Sequence, residues 1–164
     1  MNFDLPDSGN TECLGAALAR SLPDGAGAVV YLRGELGSGK TTCARSLLHA
    51  LGITARVRSP TYTLVDTYSI GELHCVHVDL YRLRSAAEVE ELGLRDLTGP
   101  GFLMLIEWPE KGGAAVPPAD LDLLLSYADE SRVASLRAVN EVGGRWLAKL
   151  GDDSSLVPYV SNIT

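Results

Sequence analysis

The sequence is poor in cysteine and in aromatic residues, and each shortage excludes a class of protein. Its 164 residues include three cysteines, Cys13, Cys43 and Cys75. That odd number, widely spaced and without a C-x-x-C pair, argues against a disulfide framework and against a zinc site, so we expect reduced thiols that serve as packing residues. Because aromatic residues make up 6% of the chain, a core has to come mainly from Leu, Val and Ala.

Long apolar runs are also missing. The longest uninterrupted stretches of aliphatic or aromatic residues, such as 102–106 and 123–125, fall far below the ~20 apolar residues that a membrane span requires. Residues 1–4 are acidic where a secretory signal would be basic and would precede an apolar block. We therefore expect a soluble, cytoplasmic protein with no membrane association.

Positive charge is scarce as well. Lysine and arginine total 14 against 21 aspartate and glutamate residues, which gives a net charge of -7, and lysine occurs three times. Affinity for nucleic-acid phosphates comes from Lys and Arg that release counterions, so this balance disfavours nucleic-acid binding by the chain alone. The hydrophobic content of 46% excludes intrinsic disorder, and the length suits a single domain.

The apolar periodicities predict an alternation of helices and strands. Helices are predicted over residues 11–22, 40–51 and 85–94. Strands are predicted over residues 28–32, 61–68, 74–80, 102–106, 121–127 and 132–139. The runs at 28–32 and 102–106 are apolar throughout, as in strands covered on both faces, whereas the other four are expected to pair as two hairpins. This order indicates an α/β sandwich with a mixed sheet that is parallel in its centre.

The signal weakens towards the carboxyl end of the chain. We place a domain boundary after residue 140 and expect residues 141–164 to hold a last helical turn followed by a loose tail from Ser154. Trp146, Leu147 and Leu150 are the residues that could pack in that turn. The sequence assigns this segment no role.

A glycine-rich motif predicts a phosphate-binding loop. Residues 34–41, GELGSGKT, fit G-x-x-x-x-G-K-[ST] at every fixed position, between a predicted strand and a predicted helix. Backbone N–H groups and the helix N-terminus would converge on phosphate there. Lys40 would reach the β- and γ-phosphates, the Thr41 hydroxyl would coordinate Mg²⁺, and Thr42 would donate to an α- or β-phosphate oxygen. The alternative is an accidental glycine-rich turn, which the complete motif and its flanking elements disfavour.

Two carboxylates stand where predicted strands end. Asp79 closes the run 74–78, and Glu107 closes the run 102–106. A P-loop needs a carboxylate for Mg²⁺ and a group that positions the attacking water, so Asp79, Glu107 and Lys40 are the predicted catalytic residues. The spacing does not decide which carboxylate binds the metal and which acts on water. For each one, a carboxylate that faces solvent or caps a turn is the alternative.

Residues 59–63, SPTYT, allow two interpretations. They form either a plain turn into a strand, with Pro60 holding Ser59 extended, or a mobile loop whose Thr61 hydroxyl senses the γ-phosphate. The residues by themselves favour the turn. Trp108 is interpreted as a packing or interface residue.

The remaining polar residues of the strands give weaker indications. His74 and His77, set among Val76 and Val78, are interpreted as the exposed face of a strand. With three histidines and no H-E-x-x-H pattern, a zinc enzyme has no support. The chain lacks the Asn-Lys-x-Asp segment with which P-loop proteins commonly recognise guanine, so adenine is favoured as the base.

Five segments of the chain occur in a fixed order that is typical of one family. They are GELGSGKTT (34–42), SPTYTLV (59–65), HVDLYRL (77–83), ELGL (91–94) and IEWPE (106–110). Over about residues 11–139 the sequence resembles the bacterial TsaE-type P-loop ATPases of tRNA threonylcarbamoyladenosine biosynthesis. The P-loop by itself is generic, but the five segments together within one small domain are specific.

The resemblance implies a P-loop NTPase-like three-layer sandwich in which residues 1–140 are the ATPase domain. It implies binding of ATP and Mg²⁺, with hydrolysis that is weak for the chain alone and stimulated by partner proteins. Members of the family do not transfer the threonylcarbamoyl group themselves. They act with a TsaD-like transferase subunit and its TsaB-like structural partner on adenosine 37 of tRNA, so tRNA would be reached only through the complex.

By position, the resemblance assigns Lys40 and Thr41 to phosphate and Mg²⁺, and Asp79 and Glu107 to Mg²⁺ and water. It makes residues 59–63 a switch-like loop, which reverses the preference stated above. The other nucleotide-binding residues it implies are Thr11 near the adenine, Glu35, Gly37, Ser38, Gly39, Thr42, Thr61 and Trp108. Ser38 stands where the family usually has Ala, at a position that we expect to be exposed.

Two other functions remain open at this point. A small-molecule kinase would use the same P-loop with an acceptor pocket and a basic lid, yet Arg and Lys are not clustered as lid residues would be. A non-enzymatic scaffold would hold ATP without turnover. The product of the reaction and the effect of partner proteins distinguish both from an ATPase that acts on a protein complex.

Overall fold

The computed structural model of the protein describes residues 1–25 and 27–161. Within these ranges the α-helices are α1 (Ser8–Ser21), α2 (Lys40–Ala50), α3 (Ala86–Glu90) and α4 (Glu141–Gly151), and short 3-10 helices include Ser154–Tyr159. The strands are β1 (Asn2–Leu5), β2 (Ala28–Arg33), β3 (Val65–Ile70), β4 (Leu73–Asp79), β5 (Phe102–Glu107), β6 (Leu121–Ala128) and β7 (Ser131–Ala138). No helix in the described ranges is both long enough and apolar enough to span a bilayer.

All seven strands join one sheet in the order β1-β7-β6-β2-β5-β4-β3. The four central strands β6, β2, β5 and β4 run parallel to one another. Antiparallel pairs flank them, β4 with β3 at one edge and β6 with β7 and β1 at the other. The prediction of a mixed sheet with a parallel centre is therefore confirmed.

Apolar side chains cover both faces of the central strands. On one face, Leu103 and Leu105 of β5 join a cluster that also contains the buried residues of α1, α2 and α4. On the other, Met104 and Ile106 pack with Val89 of α3 and with the turns around it. Gly15 allows α1 to approach α2 closely, since a Cβ there would lie 2.4 Å from the Cys43 carbonyl oxygen. The three-layer sandwich predicted for the chain is confirmed.

Some element boundaries differ from the prediction. Helix α1 begins three residues early because Asp7 caps it: its carboxylate accepts the Asn10 N–H at 3.1 Å, and the Asn10 side chain accepts the Asp7 N–H. Residues 61–64 form turns instead of strand, and β3 starts only after Leu64, whose φ is +67°. Strand β1 was not predicted, although it pairs with β7 along its whole length.

The carboxyl-terminal segment is more structured than predicted. Helix α4 has three turns, with Trp146 and Leu150 fully buried. The expectation of a loose tail from Ser154 is wrong for residues 154–161, since Leu156 is buried and the Ser161 N–H donates to the Asn2 carbonyl at 2.9 Å. The physical reason is the open edge of β1, which offers unpaired backbone groups to the returning chain. The rest of the predicted tail, 162–164, lies outside the described residues.

Replacing Trp146 by alanine tests the contribution of α4 to the core. The indole is completely buried and its Nε1–H donates to the Leu18 carbonyl at 3.0 Å, so the change leaves a cavity and an unpaired acceptor. We expect the free energy of unfolding, measured by urea denaturation, to fall by about 3–5 kcal/mol. Arg145→Ala, at an exposed position of the same helix, is the control and should change it by less than about 0.5 kcal/mol. Equal effects of the two substitutions would contradict the packing described here.

Candidate active site

The parallel register brings the ends of three strands to one place. Glu107, the last residue of β5, pairs with Leu32 of β2 on one side and with Asp79 of β4 on the other. The glycine-rich loop begins directly after Arg33, the last residue of β2, and leads into α2. Both predicted carboxylates and the predicted phosphate loop therefore lie at the carboxyl edge of the sheet, where open α/β sheets bind their ligands.

The loop itself has the backbone geometry that only glycine adopts readily. Gly34, Gly37 and Gly39 have φ values of +134°, +78° and +107°. A Cβ on Gly34 would lie 2.2 Å from the Leu125 carbonyl oxygen, so the loop can turn here only without a side chain. Ser38 is completely buried, contrary to the exposed position expected, because the loop folds over it.

Lys40 lies inside this loop at the first turn of α2. Its Nζ donates to the carbonyl oxygens of Gly34 and Glu35, at 2.7 and 2.8 Å. Burial lowers the pKa of the Lys40 ammonium, while the nearby carboxylates of Glu107 and Asp79 act in the opposite direction. The ammonium is the positive group of the site, and two backbone carbonyls hold it there.

Thr41 and Glu107 form the central polar contact. The Thr41 hydroxyl lies 2.8 and 3.0 Å from the two carboxylate oxygens of Glu107, to which it can donate. Glu107 is buried with 2% of its surface exposed. A hydroxyl and a carboxylate that meet directly after the phosphate loop provide oxygen ligands of the kind Mg²⁺ prefers.

Asp79 has a different set of partners. Its Oδ2 accepts hydrogen bonds from the hydroxyls of Ser59 and Thr61, and its Oδ1 accepts the Tyr81 N–H at 2.9 Å. The Ser59 and Thr61 hydroxyls are also within hydrogen-bond distance of each other, at 2.6 Å. Asp79 thus fastens the segment 59–61 to the end of β4.

Trp108 covers the lysine. Its φ of +58° is uncommon for a bulky residue and turns the ring towards the loop, 4.1 Å from the Lys40 Nζ to the ring centroid. The Tyr81 ring lies 5.0 Å from the indole between ring centroids. Further along the chain, the Arg82 guanidinium stacks on the ring of Tyr62 at 3.9 Å from the ring centroid.

A cavity of about 300 Å³ opens between these groups. Nine of the predicted site residues line it: Gly37, Gly39, Lys40, Thr41, Thr42, Thr61, Asp79, Glu107 and Trp108. Ser59 of the predicted switch-like loop 59–63 lines it too, together with Leu36 and Tyr81, which were not predicted as site residues. Three predicted residues lie outside the lining: Glu35 is exposed, Ser38 is buried within the loop, and Thr11 packs behind Gly39.

His77 is the residue that the sequence interpretation misplaced. It is completely buried, and its Nε2 lies 2.9 Å from the Glu107 Oε1. His74 and His77 cannot share a face, because they are three residues apart and side chains alternate along a strand. Residues 75–79 of β4 are buried whereas His74 is exposed, so the expectation of an exposed position is confirmed for His74 and is wrong for His77. The spacing of His77 and Asp79, two residues apart on one face, was the signal that could have found it.

A strand, a glycine-rich loop and a helix that starts with Lys40 and Thr41 are the defining parts of one class of protein. The carboxylate on the neighbouring parallel strand, Glu107, completes the arrangement. The fold and the site together define a P-loop NTPase-like protein.

Comparisons with known proteins show to which family within this class the chain belongs. The sequence model of the family described as "Threonylcarbamoyl adenosine biosynthesis protein TsaE" matches residues 5–135. The tRNA threonylcarbamoyladenosine biosynthesis protein TsaE of Haemophilus influenzae is 44% identical over 115 residues, 70% of this chain and 73% of that protein. The protein of the same name from Nostoc is 36% identical over 143 residues, 83% of this chain and 85% of that protein. The chain belongs to the TsaE family.

A solved structure resembles the whole fold. The crystal structure of Bacillus subtilis YdiB superposes with a TM-score of 0.75 and covers 92% of this chain and 93% of its own. Its sequence is 24% identical. At that identity the likeness supports the three-layer architecture, and the family rests on the sequence matches.

Substituting Gly34 tests whether the loop needs the described backbone. Gly34→Ala places a Cβ 2.2 Å from a backbone oxygen at φ +134°, so we expect the free energy of unfolding to fall by at least about 1–3 kcal/mol. Gly144→Ala is the matched control, because this glycine lies in α4 with open space around it. There alanine should raise the free energy of unfolding by about 0.5–1 kcal/mol. A stable Gly34→Ala protein in urea denaturation would contradict the loop geometry.

Proposed function

We propose that this protein is the ATP-binding and ATP-hydrolysing subunit required for threonylcarbamoylation of adenosine 37 in tRNA. It acts on the transferase complex and does not transfer the group itself. The observation that carries the proposal is the contact of Thr41 with Glu107 beside Lys40, in a chain whose relatives are named tRNA threonylcarbamoyladenosine biosynthesis proteins.

The groups present fit a nucleotide with Mg²⁺. Gly34, Gly37 and Gly39 give the loop the positive φ values that let backbone N–H groups turn towards an anion, and Lys40 supplies a positive charge inside it. Thr41 and Glu107 are the residues that would hold the metal, both through oxygen. Mg²⁺ held there would neutralise phosphate charge and so supply electrostatic stabilisation of phosphoryl transfer. On nucleotide binding, Lys40 would exchange its two backbone carbonyl partners for phosphate oxygens.

We assign the two carboxylates different roles. Glu107 contacts Thr41 and therefore belongs to the metal side of the site. Asp79 holds the hydroxyls of Ser59 and Thr61, so it belongs to the side where water is positioned and where the loop 59–63 responds to the γ-phosphate. Asp79 accepts the proton of the attacking water directly or orders that water through these hydroxyls.

Hydrolysis by the chain alone is expected to be slow. None of the residues that line the cavity in the described part of the chain is an arginine, and Arg82 is stacked on Tyr62. An arginine that neutralises charge in the transition state is worth a large factor in rate. We infer that TsaD-like and TsaB-like partners in the cytoplasm complete the site, and that tRNA is reached only through them, as the net charge of -7 favours.

The assignment of regions follows the sequence boundaries. We propose residues 1–140 as the ATPase domain and attach no activity to 141–164. The names of the relatives favour tRNA modification over a small-molecule kinase. A scaffold that holds ATP without turnover is tested directly by the experiments below.

The decisive experiment measures Mg²⁺-dependent release of phosphate from ATP. We expect a low rate for the chain alone and a clear rise on adding the purified transferase pair and tRNA. Lys40→Ala should abolish both, because it removes the positive group of the loop. Lys111→Ala, which changes an exposed lysine outside the cavity, is the matched control and should hydrolyse ATP like the wild type. A hydrolysis rate that does not change when the partners are added would contradict the proposal. Phosphate transfer to a metabolite would establish a kinase.

Two isosteric substitutions test whether Glu107 holds the metal and Asp79 acts on water. Glu107→Gln should remove the strengthening of ADP binding by Mg²⁺, because the carboxylate proposed to hold the metal is replaced by a neutral amide. Asp79→Asn should keep that strengthening but lower the hydrolysis rate by about 100-fold or more. Glu130→Gln, at an exposed position, serves as the control. The opposite pattern, with the Mg²⁺ effect lost in Asp79→Asn alone, would reverse the assignment.

A further inference from the structure

One buried polar side chain has no part in the function proposed above. His77 lies in the middle of β4, where the neighbouring residues Cys75, Val76 and Val78 are apolar and buried. The imidazole has no exposed surface, and its Nδ1 has no hydrogen-bond partner among the described residues. Buried polar atoms in native proteins are usually hydrogen-bonded, so a histidine that served packing alone would have both ring nitrogens paired. Packing alone therefore does not explain why His77 occupies this position.

The single polar contact of His77 is directed at the site. Its Nε2 lies 2.9 Å from the Oε1 of Glu107. Since a carboxylate oxygen only accepts, the hydrogen must lie on Nε2, which donates to Glu107. The same Oε1 also accepts from the Thr41 hydroxyl at 2.8 Å, so the carboxylate is held from two directions.

The arrangement fixes the orientation of Glu107. The terminal torsion of a glutamate is broad when nothing restrains it. One donor, Thr41, comes from α2, and the other, His77, comes from the neighbouring strand β4. With both in place, the carboxylate plane is set before any ligand binds, which is how partners outside the ligand shell orient metal ligands.

We propose that His77 is a positioning residue that orients the Glu107 carboxylate towards Thr41. This inference rests on the proposed function, because it takes Glu107 as the metal-side carboxylate. His77 itself is not among the residues that line the cavity. Its effect is therefore on the geometry of Glu107 and on the strength of Mg²⁺ binding.

The test compares three substitutions at His77. The amide nitrogen of Gln reaches about as far as Nε2, that of Asn reaches only as far as Nδ1, and Leu has no donor. We expect His77→Gln to remain close to the wild type. His77→Asn and His77→Leu should each lose about 10- to 100-fold in the enhancement of ADP affinity by Mg²⁺ and in stimulated hydrolysis. His74→Leu, at the exposed start of the same strand, is the control.

ADP affinity measured by calorimetry with and without Mg²⁺ distinguishes a loss of Glu107 positioning from general damage to the structure. Loss of ADP binding in both conditions, or equal losses in the folded Gln and Asn variants, would overturn the inference. If the Leu variant does not fold, the Gln and Asn pair decides. Failure of the proposed function would appear instead in the wild-type chain, as the absence of partner-stimulated hydrolysis.

Discussion

The pairing register of β2, β5 and β4 is the constraint on which the rest of the site depends. Three parallel strands end at the same level, so that Leu32, Glu107 and Asp79 are neighbours across the sheet. A shift of one residue would send Glu107 to the opposite face, away from Thr41. The register is held because both faces of these strands are buried under apolar layers.

The site combines a rigid half with an adaptable half. Thr41, Lys40 and Glu107 are fixed by the helix, the loop and the central strand, and each is hydrogen-bonded within the protein. Ser59 and Thr61 lie on a segment without regular strand structure and are tied to the sheet through Asp79. Contacts of this second kind exchange more easily than those of a buried strand, which suits the nucleotide-sensing role proposed for this loop.

Much of this architecture could be predicted from the sequence, because it follows from local patterns. The P-loop motif is continuous in the chain, and the apolar runs of β2 and β5 reflect burial on both faces. Three features were not predictable in this way. Strand β1 is stabilised by β7, which lies far away in sequence, and Leu156 finds its place only once the sheet edge exists. His77 is polar in a buried strand, and its partner comes from another strand.

The most direct test of the proposed metal site is the position of the metal in a crystal structure of the chain with ADP and Mn²⁺, which replaces Mg²⁺ and is located by its anomalous scattering. We predict that the ion lies between the Thr41 hydroxyl and the Glu107 carboxylate, with the contact from His77 to Glu107 retained. An ion bound by Asp79, with Glu107 turned away from Thr41, would contradict it.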